Sequence, residues 1–209
     1  MNLIFDIGAN RGLFTDKCLS MYNDIEIILI EANPELINFL ESKYINNKKV
    51  KILNCLISNE SDKMIDFYIS KNYDVVSTAS LGWINESRFT NNCKWDKVIK
   101  VKSKTIDDLI YEFGNPDLIK IDVEGYEYEV IQGLTKKQKD ICFEWAEEKY
   151  DDANDCCNYL EKLGYENFGY IFSDNYMVKP NVFSRWSESS FHKMINKDRK
   201  LNWGMIWVN

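Results

Sequence analysis

The sequence is short of several things at once, and each shortage closes off a class of protein. It has one histidine, His192, and its six cysteines (Cys18, Cys55, Cys93, Cys142, Cys156 and Cys157) never form a C-x-x-C pair. A structural zinc site needs several such ligands at short spacing, so none is expected and the cysteines read as reduced thiols. Only three prolines and nine glycines punctuate 209 residues. With no Ser/Gly/Pro-rich linker and no internal repeat, one domain over residues 1–209 is expected. No apolar run is long enough to span a bilayer, and the first residues lack the basic flank and long apolar stretch of a signal peptide. A soluble, cytoplasmic protein with no membrane partner is the expectation. Basic tracts are missing too: the formal net charge is −7. Such a chain suits long nucleic acid poorly, because that binding needs many cationic contacts. Residues 122–161 hold 12 acids against 4 bases, whereas 170–209 hold 3 against 6, which leaves room for a small basic face near the C-terminus.

What is present has a clear order. "NLIFDI" reads as a short buried strand, and "RGLFTDKCLSMY" after it as a helix. "IEIILIE" is a second strand, followed by the helix "NPELINFLESKY", with Asn33 as cap and Pro34 at the first helical position. "VKILNCLIS", residues 50–58, gives a third strand. Two strand-helix units in about 50 residues are the mark of a parallel sheet covered by helices. "MIDFYIS" and "KVIKVKS" read as strands around an insertion over 71–95. Then come the helix "TIDDLIYEF" capped by Thr105, the strand "DLIKIDVEG", the helix "YEYEVIQGL", the strand "ICFEW" and the helix "DDANDCCNYLEKLGY". Two late strands, "NFGYIF" and "WGMIWVN", would complete a seven-stranded sheet.

In an open α/β sheet, ligands bind at the carboxyl ends of the strands. "DIGANRG" lies at such an end: Gly8 permits a tight turn, and Gly12 lets the next helix come close. The nicotinamide fingerprint would need glycines where Asn10 and Leu13 stand, and no GK[ST] follows for a P-loop. Glu31, 25 residues after Asp6, ends the second strand, where a carboxylate can accept both hydroxyls of a ribose. "IKIDVEGYE" puts Lys120 and Asp122 on one face by period-2 alternation, with Glu124 beside them if the backbone stays extended.

"FDIGANRGLFT", "IEANPELINFL", "TIDDLI" and "PDLIKIDVEGYEYEVIQG", in this order, resemble the FkbM-type family of S-adenosylmethionine-dependent methyltransferases over about residues 4–145. The resemblance implies a single-domain class I methyltransferase fold: Rossmann-like α/β, with a mostly parallel seven-stranded sheet and helices on both faces. It also implies S-adenosyl-L-methionine as cofactor. Asp6, Gly8, Asn10 and Gly12 would line its methionine and ribose side, Glu31 with neighbouring Asn33 would hold the ribose, and Asn54 and Leu56 would flank the adenine. Family members usually carry residues ahead of the first strand that help cover the substrate, and this sequence has almost none there.

Methyl transfer to a hydroxyl requires an aligned acceptor and a group to take its proton. Asp122, under the sulfonium, is the leading candidate, with Lys120 and Glu144 completing a cluster. Asp122 and Glu124 could hold a hard cation through oxygen, but no further ligand set is visible and no metal is assigned. His192 has a pKa suited to proton transfer, yet a lone histidine on a late helix is more often incidental. The resemblance most often implies O-methylation of a sugar, glycan or related small molecule. An RNA ribose 2'-O-methyltransferase and a non-catalytic module that keeps the fold are the alternatives. Inserts over 71–95 and 172–202, rich in aromatics such as Trp83 and Trp186, are expected to cover the acceptor.

Overall fold

Side chains that alternate along each strand decide which face of the sheet they join. Ile4, Ile27, Leu118 and Cys142 pack to one side, where the helix residues Phe14 and Cys18 meet them. Their neighbours Phe5, Ile28, Ile119 and Ile141 pack to the other, against Val130, Ile131, Cys156 and Leu160. Helices therefore cover both faces. A computed structural model describes residues 1–172, 178–188, 191 and 202–209. In chain order the elements are β1 Leu3–Ile7, α1 Leu13–Met21, β2 Glu26–Glu31, α2 Pro34–Tyr44, β3 Val50–Asn54, β4 Leu56–Ile57, β5 Met64–Ile69 and α3 Leu81–Glu86. They continue with β6 Lys97–Lys104, α4 Ile106–Phe113, β7 Leu118–Ile121, α5 Glu127–Gln132, β8 Asp140–Ala146, α6 Tyr150–Lys162, β9 Phe168–Phe172 and β10 Trp203–Val208.

The main sheet has seven strands in the order β3-β2-β1-β7-β8-β10-β9. It is parallel from β3 to β8, and β10 runs antiparallel to both its neighbours. The chain winds outward from β1 through β2 and β3, then returns to the far side of β1 as β7. This reversal opens a crevice at the carboxyl ends of β1 and β7.

Three sequence expectations change here. The strand read over 50–58 is broken: β3 stays in register with β2 as far as Asn54 opposite Glu31, after which β4 leaves to pair with β6. A small second sheet, β4-β6-β5, results. The helix read from "YEYEVIQGL" is only six residues long. The third concerns the aromatics. Trp83, on α3, is 3% exposed, and Trp186, in a 3-10 turn at Trp186–Glu188, is 2% exposed. Both rings pack inside the domain, where burying a large apolar surface is worth more than leaving it to solvent. His192 and Tyr176 lie outside the described residues.

Candidate active site

The turn "GANRG" is shaped by what surrounds it. Gly8 has φ +74, and a Cβ there would fall 1.8 Å from the carbonyl oxygen of Asp122. The end of β7, more than any ligand, demands glycine. A Cβ on Gly12 would meet the Tyr44 hydroxyl at 2.4 Å, so Gly12 serves the approach of α1 to α2 and is not part of the cavity wall. Glu31 holds the turn from β2: its two carboxylate oxygens accept the backbone N–H groups of Asn10 and Asn33, each at 2.7 Å. The Asn33 side chain accepts from Glu35 N–H and caps α2. Asn54 donates its side-chain amide to the carbonyl of Glu31 at 2.8 Å. Neither asparagine lines the cavity, so both act by fixing the end of β2.

The cavity is large, about 890 Å³, and opens at the reversal between β1 and β7. Gly8, Asn10, Glu31, Leu56, Lys120, Asp122 and Glu144 all line it, so seven of the residues singled out in the sequence come together. Asp6 does not. It is fully buried beneath the turn, accepting from the Thr15 hydroxyl at 2.7 Å. The wall also includes Phe67, Val75, Ala79 and Tyr126, which sequence reasoning missed. Phe67 and Ala79 belong to the small sheet and the insert, whose approach to β2 no local pattern reveals. Tyr126 stood in plain view in "EGYE", and its hydroxyl lies 3.1 Å from that of Ser58.

Lys120 organises the floor. Its ammonium donates to the Gly8 carbonyl at 2.8 Å and lies 3.3 Å from the Asp6 carboxylate and 3.6 Å from that of Asp122. Burial works against its charge, yet the facing Asp6 and Asp122 carboxylates hold its pKa above that of an ordinary lysine. The ammonium thus ties the turn, the strand and the Asp122 carboxylate together.

Carboxylate oxygens of Asp122, Glu124 and Glu144 lie within 4.8 Å of one another. The chain reaches this by turning: β7 ends at Ile121, and Glu124 takes φ +56, so the extended backbone assumed from alternation stops short. Glu127 on α5 closes the turn by accepting from Val123 N–H at 3.0 Å and Gly125 N–H at 3.3 Å. Burial pushes Glu127 up from an ordinary 4.5 to about 8, with Asp122 adding to the shift against the pull of its backbone hydrogen bonds. The sign follows from linkage: between those values the unfolded chain ionises while the folded chain stays protonated, so stability falls as pH rises from about 4.5 towards about 8. We expect Tm to decline across that window and Glu127→Gln to flatten the decline. An identical slope in the variant would show that Glu127 does not titrate there.

A Gly-turn between β1 and α1, a buried carboxylate ending β2 and acids at the ends of β7 and β8 surround one cavity. A family model described as the methyltransferase FkbM domain matches residues 6–167. The chain belongs to the FkbM methyltransferase family. It is accordingly an S-adenosylmethionine-dependent methyltransferase. The fold of this FkbM methyltransferase is similar to that of precorrin-6y C5,15-methyltransferase from Geobacter metallireducens, with 12% identity, TM-score 0.52, and coverage of all of this chain and 79% of that one. Fibrillarin from Aeropyrum pernix, crystallised with natively bound S-adenosyl-L-methionine, aligns over all of this chain and 66% of its own at 9% identity and TM-score 0.49. No curated protein sequence matches the chain. The cavity fits the cofactor: its volume lies in the range of small-molecule sites. Apolar Ala32, Leu56 and Phe67 line one part of it, and Glu31 is buried at the wall.

Proposed function

We propose that this FkbM methyltransferase methylates a hydroxyl group of a sugar, glycan or related small molecule. The observation that carries the reading is the placement of Asp122 and Glu144 in the wall of the cofactor cavity, where a carboxylate can take the proton that a hydroxyl loses on methylation. The cofactor, when bound, would supply an electrophilic methyl, its C–S bond electrons staying with sulfur while the acceptor oxygen takes the methyl and gives up its proton. Asp122 receives or orients the acceptor, Lys120 holds Asp122 in place, and Glu144 supports it from β8. Glu31 would hold the ribose, with Leu56 against the adenine. The insert over 71–95 would cover the acceptor through Asp74, Val75 and Ser77, which line the cavity, in place of the buried tryptophans.

Six carboxylates line the cavity (Asp16, Glu31, Asp74, Asp122, Glu124 and Glu144) against three bases (Arg11, Lys17 and Lys120). That balance disfavours the RNA reading, since a phosphodiester would enter against like charge. Mass spectrometry after incubation with labelled cofactor and a panel of glycans, capped RNA oligomers and small alcohols tests the proposal. Methyl on RNA alone would transfer the reading to the ribose methyltransferase, and no methyl on any acceptor would favour the binding module. Glu31→Ala should weaken cofactor binding about 10–100-fold, the scale of losing hydrogen bonds to a charged group. Unchanged calorimetric affinity would remove Glu31 from the ribose site.

A further inference from the structure

The cavity gathers more negative charge in one place than its own cations neutralise. Asp122, Glu124 and Glu144 each bring a carboxylate oxygen within 4.8 Å of the others. Around them stand Lys120 on β7, Glu127 on α5 and Arg88 in the insert. Lys149 and Asp152 border the small adjoining pocket that Glu127 and Glu144 share. The cations have other obligations. Lys120 is divided between Asp6, Asp122 and the Gly8 carbonyl. Arg88 donates twice to Glu148, at 2.7 and 2.6 Å, and Lys149 pairs with Asp152 at 3.0 Å.

We propose that Glu124 and Glu144 share one proton while the cavity holds no cation, and release it to solvent when a positively charged ligand enters. Glu124 thereby becomes a working part of the site alongside Asp122 and Glu144. Neighbouring carboxylates cannot all ionise cheaply in a half-buried wall, so the proton belongs to the set more than to one residue. The electrostatics agree: burial first, then Asp122, pushes both Glu124 and Glu144 well above the ordinary carboxylate range. Arrival of a positive charge reverses the preference and leaves both ionised. The two carboxylates are then able to accept, by way of Asp122, the proton of an incoming hydroxyl. Transfer of the methyl would remove that positive charge, and the hydroxyl proton passed on by Asp122 would then rest on the glutamates, so the cavity's charge would be the same before and after transfer.

The inference rests on the reading that the cavity takes S-adenosylmethionine, and its test separates the two. Calorimetric titration at about pH 7 in two buffers of different ionisation enthalpy counts protons exchanged on binding. The titrants are S-adenosylmethionine and S-adenosylhomocysteine, which differ in the charged sulfonium. We expect the first to release about one proton more than the second, and Glu124→Gln or Glu144→Gln to reduce that difference by more than about half. Equal proton counts for the two ligands in the wild-type protein would overturn the proposal, and so would a difference that survives in both variants. If a variant does not fold, the wild-type comparison decides alone. Failure of both ligands to bind would instead overturn the cofactor reading.

Discussion

Replacing Lys120 with methionine should destabilise the protein by about 3–5 kcal/mol, the scale of breaking a buried ion pair by removing one partner. Asp6 is fully buried, and Lys120 is 3% exposed. Without the ammonium, the Asp6 carboxylate keeps the Thr15 hydroxyl and loses the counter-charge at 3.3 Å. The Gly8 carbonyl loses its donor at the same moment. Urea unfolding measures the loss. The control is the double variant Asp6→Asn with Lys120→Met, which removes the uncompensated charge at fully buried Asp6, leaves only the more exposed Asp122 carboxylate without the ammonium, and should recover more than half of the loss. A single variant within about 1 kcal/mol of wild type would show that the pair contributes no more than a surface bridge does.

Asp122→Asn should keep the fold and most of the cofactor affinity while turnover falls at least about a hundredfold, the usual scale for removing a positioned acid or base. The amide matches the carboxylate in shape but cannot take a proton. Turnover is measured as labelled methyl transferred to whichever acceptor the panel reveals, with cofactor affinity measured in parallel. If Asp122→Asn retains activity and Glu144→Gln abolishes it, the proton acceptor sits on β8 and Asp122 only orients. Loss of cofactor affinity in step with turnover would place Asp122 in binding rather than in proton transfer.

Much of the frame was legible because it is written locally. Strand, glycine turn and helix at the start, the Asn33–Pro34 helix entry and the Thr105 cap each depend on residues within a few positions, and the structure has all three. Thr105 even forms the reciprocal hydrogen bonds with Asp108 that its spacing allows. The site was legible in part. Glu31 and Asp122 could be placed at strand ends by counting, whereas the residue that Gly12 makes room for and the contacts of Asn33 and Asn54 with Glu31 could not. Their partners, the Tyr44 hydroxyl, the Glu31 carboxylate and the Glu31 carbonyl, belong to other elements or other turns. Trp83 and Trp186 misled for a related reason: composition says that a ring is present, and only packing says which way it faces.

The sequence by itself determined the order of elements, the parallel sheet and the family, because alternation, capping and turn chemistry act over short stretches of chain. Only the tertiary structure decided which charges meet. Parallel pairing sets Asp6 opposite Lys120 and Lys120 opposite Cys142, so Asp122 and Glu144, each two residues further on, project at the same level. Register between β7 and β8, and between β7 and the far more distant β1, fixes that alignment. It buries Lys120 between two aspartates, brings the Glu124 turn against Glu144, and makes one cavity of residues that the sequence keeps apart.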